Sequence, residues 1–126
     1  MRPSPIDRSA AVLLAVEAAA LAAVAGWEVV ALLGGDTVDP TSSVALIVLT
    51  VVFAIAVGAF AVATVRGRSW GRSGGIVTQL LTLAVAVGAI TGPDPAVGFA
   101  VALAVPAVIG LVLLFLAVRR AGAARG

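Results

Sequence analysis

Four long apolar segments separated by short polar stretches make up most of the chain. They lie at about residues 9–33, 44–65, 73–90 and 95–118. A helix needs about 20 mostly apolar residues to cross the hydrocarbon core of a bilayer. The segments are continuous and do not alternate apolar with polar positions, which favours helices over a barrel. The pattern predicts an all-α fold: a polytopic membrane four-helix bundle, with residues 1–126 forming a single transmembrane domain.

Composition excludes a soluble domain and narrows the chemistry. Of the 126 residues, 62% are hydrophobic and 11% are charged, against about 45–50% apolar and about 25% charged in soluble domains. The chain has no His and no Cys, which are the usual ligands of zinc, haem and iron–sulfur clusters. No nucleophile–base pair is visible. We therefore predict no catalytic residues, no metal site, no cofactor and no enzymatic activity.

The arginines predict how the chain is oriented. All eight basic residues fall on one side of a four-span arrangement: Arg2, Arg8, Arg66, Arg68, Arg72, Arg119, Arg120 and Arg125. The two connections on the other side hold only acidic charges: Asp36, Asp39 and Asp94. By the positive-inside rule, both termini should be cytoplasmic. The arginines could also form an anionic-lipid or nucleic-acid site, but orientation explains them, and we predict lipid and no nucleic acid as partner.

The two outer connections each end in an Asp-Pro pair. Asp is a good N-cap and Pro fits the first helical turn, so Asp94-Pro95 predicts the start of the fourth helix. For the second helix, Asp39 or one of the three hydroxyl residues that follow Pro40 could be the cap. A cleaved signal peptide is an alternative for the first segment, but Glu17 within it and its full membrane length argue against cleavage.

Glu17 and Glu28 are the only ionisable residues inside the apolar segments. They are 11 residues apart, which places them on one stripe of a helix, about 16 Å apart. Gln79 and Thr82 lie on a small and polar stripe of the third segment, at a depth similar to that of Glu17. We therefore expect Gln79 or Thr82 to hydrogen-bond Glu17. Intramembrane ionisable residues usually face the bundle interior and are often functional.

Two interpretations of Glu17 stay open at this point. In the structural one, a neutral Glu17 bonds Gln79 and sets the register of the helices. In the functional one, Glu17 binds a proton or a cationic substrate. Glu28 lies beside Trp27 and is expected to be an interfacial carboxylate.

Several aromatic and basic residues are predicted to anchor the helices at the membrane interface. Trp27 and Trp70 suit the headgroup boundary, and the arginines of the stretch 66–72 can reach lipid phosphates. This stretch, Arg66-Gly67-Arg68-Ser69-Trp70-Gly71-Arg72, is predicted to be a loop that anchors to the membrane or binds a partner.

Pro106 should kink the fourth helix, as a hinge or as a static bend. Small residues four apart suit bundle packing or a homodimer: Ala54 with Gly58, and Gly98 with Ala102.

Parts of the chain resemble known membrane proteins. The stretches Val16-Glu17-Ala18, 66–72 and Gln79-Leu80-Leu81 look like those of uncharacterised small four-span integral membrane proteins of high-GC Gram-positive bacteria. This resemblance covers about residues 10–120 and implies topology and a bacterial cell membrane, but no activity. The layout is also similar to that of small multidrug resistance transporters, in which a buried Glu of the first span exchanges protons for cationic drugs. Their aromatic substrate lining has no counterpart here.

These observations lead to two hypotheses about function. The first is a non-enzymatic scaffold or accessory subunit of a membrane complex, which would pair with a second copy or with another membrane protein. The second is a proton-coupled small transporter that exports hydrophobic cations through Glu17.

Overall fold

Four helices account for nearly all of the chain. The computed structural model describes residues 3–35 and 38–125, and within these ranges it contains no strand. The helices are α1 (Pro5–Leu33), α2 (Pro40–Val65), α3 (Ser69–Thr91) and α4 (Val97–Arg125). All four are long and apolar enough to cross a membrane, judged by length and composition. The predicted all-α class is confirmed, with four helices long and apolar enough to span a membrane. Arg2 and Asp36 of the orientation argument lie outside the described residues.

The helices form a closed bundle. Helices that follow one another in the chain pack together, and α4 returns to pack against α1. Contacts are most extensive within the two hairpins, α1 with α2 and α3 with α4. Short connections make consecutive helices antiparallel. In this arrangement α1 and α3 lie diagonally opposite each other, so a contact between them must cross the centre of the bundle.

The buried core lies in one half of the bundle. It is built from Ala10 and Leu14 of α1, Val57 and Ala61 of α2, and Leu114 of α4. Most large apolar side chains point outward, and many valines and leucines are more than half exposed. Soluble monomers rarely expose apolar patches of this extent. The outer surface is therefore suited to lipid or to another membrane helix.

Helices α1 and α2 begin earlier than their apolar segments because polar residues cap their first turns. Ser4 caps α1 in a capping box: Asp7 N–H donates to Ser4 Oγ at 3.1 Å, and Ser4 N–H donates to Asp7 Oδ2 at 3.3 Å. Asp39 caps α2 by accepting from the Thr41 N–H at 3.1 Å. Of the possible caps for α2, the structure therefore selects Asp39, with Pro40 as the first helical residue.

The start of α4 differs from the prediction. Asp94-Pro95 was expected to begin this helix, but α4 begins at Val97. The Ala96 N–H donates instead to the Ala89 carbonyl of α3 at 2.8 Å, and the Ala96 carbonyl accepts the first helical bond, from Ala100 N–H at 2.9 Å. The connection between α3 and α4 is thus hydrogen-bonded to α3 before α4 starts, and Pro95 lies outside α4.

Candidate functional site

The most distinctive polar contact joins the diagonal helices. Gln79 Nε2 of α3 donates to Glu17 Oε1 of α1 at 2.7 Å. Gln79 has no exposed surface, and Glu17 is half-buried. The expected bond from Gln79 to Glu17 is therefore present. Thr82 does not share it, because its hydroxyl donates to the Thr78 carbonyl one turn back, at 2.8 Å.

A glycine on α4 makes room for the carboxamide of Gln79. A Cβ atom at Gly110 would lie 2.8 Å from Gln79 Cδ and 2.7 Å from Leu13 Cδ2, both closer than van der Waals contact allows. The sequence alone does not indicate a role for Gly110 at this site. The structure adds that the absence of a side chain at this position lets Gln79 reach Glu17.

One acceptor at this site is unused. Gln79 Oε1 is buried and has no hydrogen-bond partner among the residues that the structure describes. A buried acceptor without a partner usually costs about 1–3 kcal/mol. The Glu17–Gln79 pair can therefore accept one further hydrogen, from a protonated carboxyl, a water or a bound molecule.

Glu28 has a different partner on a different helix. Thr50 Oγ1 of α2 donates to Glu28 Oε1 at 3.1 Å and also lies 2.9 Å from the Leu46 carbonyl. Glu28 Oε2 is buried without a partner in the described part of the chain. Sequence reasoning missed Thr50, although it is one of only two hydroxyl residues in the segment 44–65. The two glutamates share a stripe of α1 but form separate contacts.

A crevice opens between α2 and α3 at the level between the two glutamates. Its volume is about 200 Å³, and its lining includes Phe53 and Val57 of α2, Thr82 and Val85 of α3, and Leu21 of α1. Leu21 lies between Glu17 and Glu28 in the sequence. The crevice therefore reaches the glutamate-bearing helix through the gap between α2 and α3, and its walls are almost entirely apolar.

The residues predicted to be interfacial anchors are exposed, with one exception, and their contact with the membrane stays a prediction. Trp27 is 70% exposed, and Trp70 is 53% exposed with its ring edge-on to Phe60 at 6.1 Å between centroids. Arg66 and Arg68 are exposed as well.

Arg72 is the exception, because it is only 4% exposed and does not extend outward to lipid. The expected loop 66–72 is shorter than predicted: α3 begins at Ser69, which places Arg72 in a helical turn. Next to it, Gly71 packs so closely on α2 that a Cβ would meet Thr64 N at 2.5 Å. Arg72 is thus buried beside the close contact that Gly71 makes with α2.

The other predicted features stand apart from the polar site. Pro106 lies inside α4, which continues as a single helix from Val97 to Arg125, so a hinge there stays a prediction. A Cβ at Gly58 would contact Ala18 Cβ of α1 at 3.8 Å, which places Gly58 at the α1–α2 packing surface. A Cβ at Gly98 would meet nothing within 4 Å, so Gly98 faces outward.

Comparison with protein-family models, with curated proteins and with solved structures finds no match. The resemblance to small four-span bacterial membrane proteins therefore stays a prediction. Within the described residues there is no group of three or more His, Cys, Asp or Glu side chains placed to hold a metal ion. The chemistry of the site rests on two carboxyl groups, one carboxamide and one hydroxyl.

Proposed function

We propose that the protein is a non-enzymatic scaffold or accessory subunit in a bacterial membrane, with both termini in the cytoplasm. The observation that carries this proposal is the Glu17–Gln79 hydrogen bond across the centre of the bundle. A polar bond between diagonal helices fixes their register, and Gly110 lets α4 pack closely against it. A bundle with an occupied centre is suited to holding a fixed shape for a partner.

The outer surface supports this role. Gly98 and Ala102 lie one turn apart on the exposed side of α4. Small residues at this spacing let a second helix approach closely in a membrane, where packing and not the hydrophobic effect drives helix association. We propose this surface of α4 as the contact for a second copy or for another membrane subunit.

The experiment is to purify the tagged full-length chain from native membranes in mild detergent and to determine the mass of the complex. We expect a dimer or a complex of fixed stoichiometry. The variant Gly98→Leu should abolish it, whereas Gly88→Leu should not, because Gly88 is an outward-facing glycine of α3 with no neighbour within 4 Å. A monomer in both the native chain and the control would refute the scaffold proposal.

Orientation has its own test. A cytoplasm-specific reporter fused after Gly126 should be active, and one that requires export should be silent. Activity of the exported reporter would refute the cytoplasmic placement of the C-terminus.

A second candidate function is proton-coupled export of hydrophobic cations through Glu17. Two observations favour it: the apolar crevice that reaches α1 and the unused acceptor of Gln79. The test is proton release from the reconstituted protein on addition of a quaternary ammonium compound. Loss of release in Glu17→Gln but not in Glu28→Gln would support export. Absence of release from the native chain would refute it.

A further inference from the structure

A groove between α1 and α2 combines an apolar floor with two positive charges at one end. Its volume is about 510 Å³, and its walls are formed by the helical faces 8–15 of α1 and 61–66 of α2. Ala15 and Ala61 are among the small residues that leave the space, and Val62 and Val65 border it. Arg8 and Arg66 both line it, each at the end of its helix.

The two arginines come from different helices and are far apart in the sequence. Arg8 is in the first turns of α1, whereas Arg66 is the C-cap residue of α2, and both are exposed. The acidic neighbour Asp7 points elsewhere, since its carboxylate accepts from the Ser4 N–H in the capping box. The groove therefore presents two guanidinium groups at its mouth and apolar side chains along its length.

We propose that this groove binds one anionic glycerophospholipid of the surrounding membrane, with the phosphate between Arg8 and Arg66 and an acyl chain along Ala15 and Ala61. Guanidinium groups bind phosphate oxygens through charge-assisted hydrogen bonds. Basic pockets between membrane helices are a recurrent way to bind anionic headgroups. The site is independent of Glu17 and of any partner at Gly98.

A second groove provides an internal comparison. It lies between α1 and α4, has a volume of about 430 Å³, and is also lined by Arg8, but by no second arginine. Two converging charges distinguish the α1–α2 groove from it. We therefore assign the lipid to the α1–α2 groove.

The experiment is a lipid titration of the full-length protein in detergent, followed by native mass spectrometry. Phosphatidylglycerol and phosphatidylcholine with identical acyl chains serve as probes. We expect one tightly bound phosphatidylglycerol and weaker, unselective binding of phosphatidylcholine. Each arginine near a headgroup is worth about a fivefold change in binding. The double variant Arg8→Gln with Arg66→Gln should therefore weaken phosphatidylglycerol binding about 25-fold.

Two further variants separate this site from general charge attraction. The pair Arg119→Gln with Arg120→Gln removes the same charge from exposed positions of α4 and should leave the tight binding intact. Ala15→Phe keeps both arginines but fills the groove and should weaken binding at least tenfold. Equal binding of the two lipids by the native chain, or equal losses in the two arginine pairs, would overturn the proposal.

Discussion

Substitution of Gly110 by alanine tests the packing that holds the Glu17–Gln79 bond. At an uncrowded position, replacing glycine by alanine stabilises a helix by about 1 kcal/mol. At position 110 the new methyl would lie 2.8 Å from Gln79 Cδ and 2.9 Å from Gln79 Oε1. The carboxamide cannot retreat without lengthening its 2.7 Å bond to Glu17.

The expected change in the free energy of unfolding is the sum of three contributions. Overpacking of this kind costs about 1–3 kcal/mol, and loss of a hydrogen bond between membrane helices costs about 0.6–1.7 kcal/mol. The gain in helix propensity offsets about 1 kcal/mol of this total. We therefore expect Gly110→Ala to lower the free energy of unfolding by about 0.6–3.7 kcal/mol.

The assay is equilibrium unfolding of the purified protein in mixed micelles as the fraction of denaturing detergent rises, followed by circular dichroism. Gly88→Ala is the matched control, because Gly88 lies in a helix, outside the proposed partner contact, with nothing within 4 Å of the added methyl. The control should be unchanged or slightly more stable. If Gly110→Ala proves as stable as Gly88→Ala, the close packing of α4 on Gln79 is not what holds the site.

Three further predictions concern the helix ends and the second glutamate. Gly71→Ala should lower the free energy of unfolding by about 1–3 kcal/mol in the same assay, because the methyl would meet backbone atoms of α2; stability equal to that of the native chain would contradict this. Thr50→Val should cost about 0.6–1.7 kcal/mol by removing the donor to Glu28 Oε1, whereas Thr50→Ser keeps the hydroxyl and should be neutral. The hydrogen bond from the Ser42 hydroxyl, followed by bonds from backbone N–H groups, lowers the pKa of the exposed Asp39 carboxyl below its ordinary value. Its ionised form therefore stabilises the fold above the pKa of the unfolded chain, about 3.9, and this contribution is lost as the pH falls further, through the lower pKa of the folded state. Melting curves between pH 6 and pH 3 should show a smaller acid loss for Asp39→Asn than for the native chain, and parallel curves would refute the role of this carboxylate.

The contact between Glu17 and Gln79 could be predicted because depth along a membrane helix follows from sequence position. Each residue advances the helix by a fixed rise, so two polar residues at matching depths, one in the first span and one in the third span that runs in the same direction, are natural partners. The same rise per residue sets how long an apolar segment must be to cross a membrane, and on that basis the sequence predicted four long apolar helices. Asp39 was among the predicted caps because cap chemistry is local and depends only on adjacent residues.

Which faces of the helices pack against each other, and how closely, could not be predicted in the same way. Neither the burial of Arg72 nor the close contact of Gly71 with α2 can be predicted from a count of charges. The role of Gly110 depends on α4 facing Gln79 rather than lipid. The start of α4 was missed because the Ala96 N–H is used by a contact with α3, and sequence rules for helix ends consider only the residues nearby.

The diagonal contact also has a consequence for biosynthesis. Glu17 and its partner are 62 residues apart in the chain. At about 5–20 residues per second, a ribosome makes Gln79 about 3–12 s after Glu17. During that interval the first hairpin, α1 with α2, exists without the donor to the Glu17 carboxyl. The nascent protein thus carries a polar group that only the arrival of α3 satisfies, so the first hairpin cannot reach its final hydrogen-bonded state until the second hairpin has begun to enter the membrane.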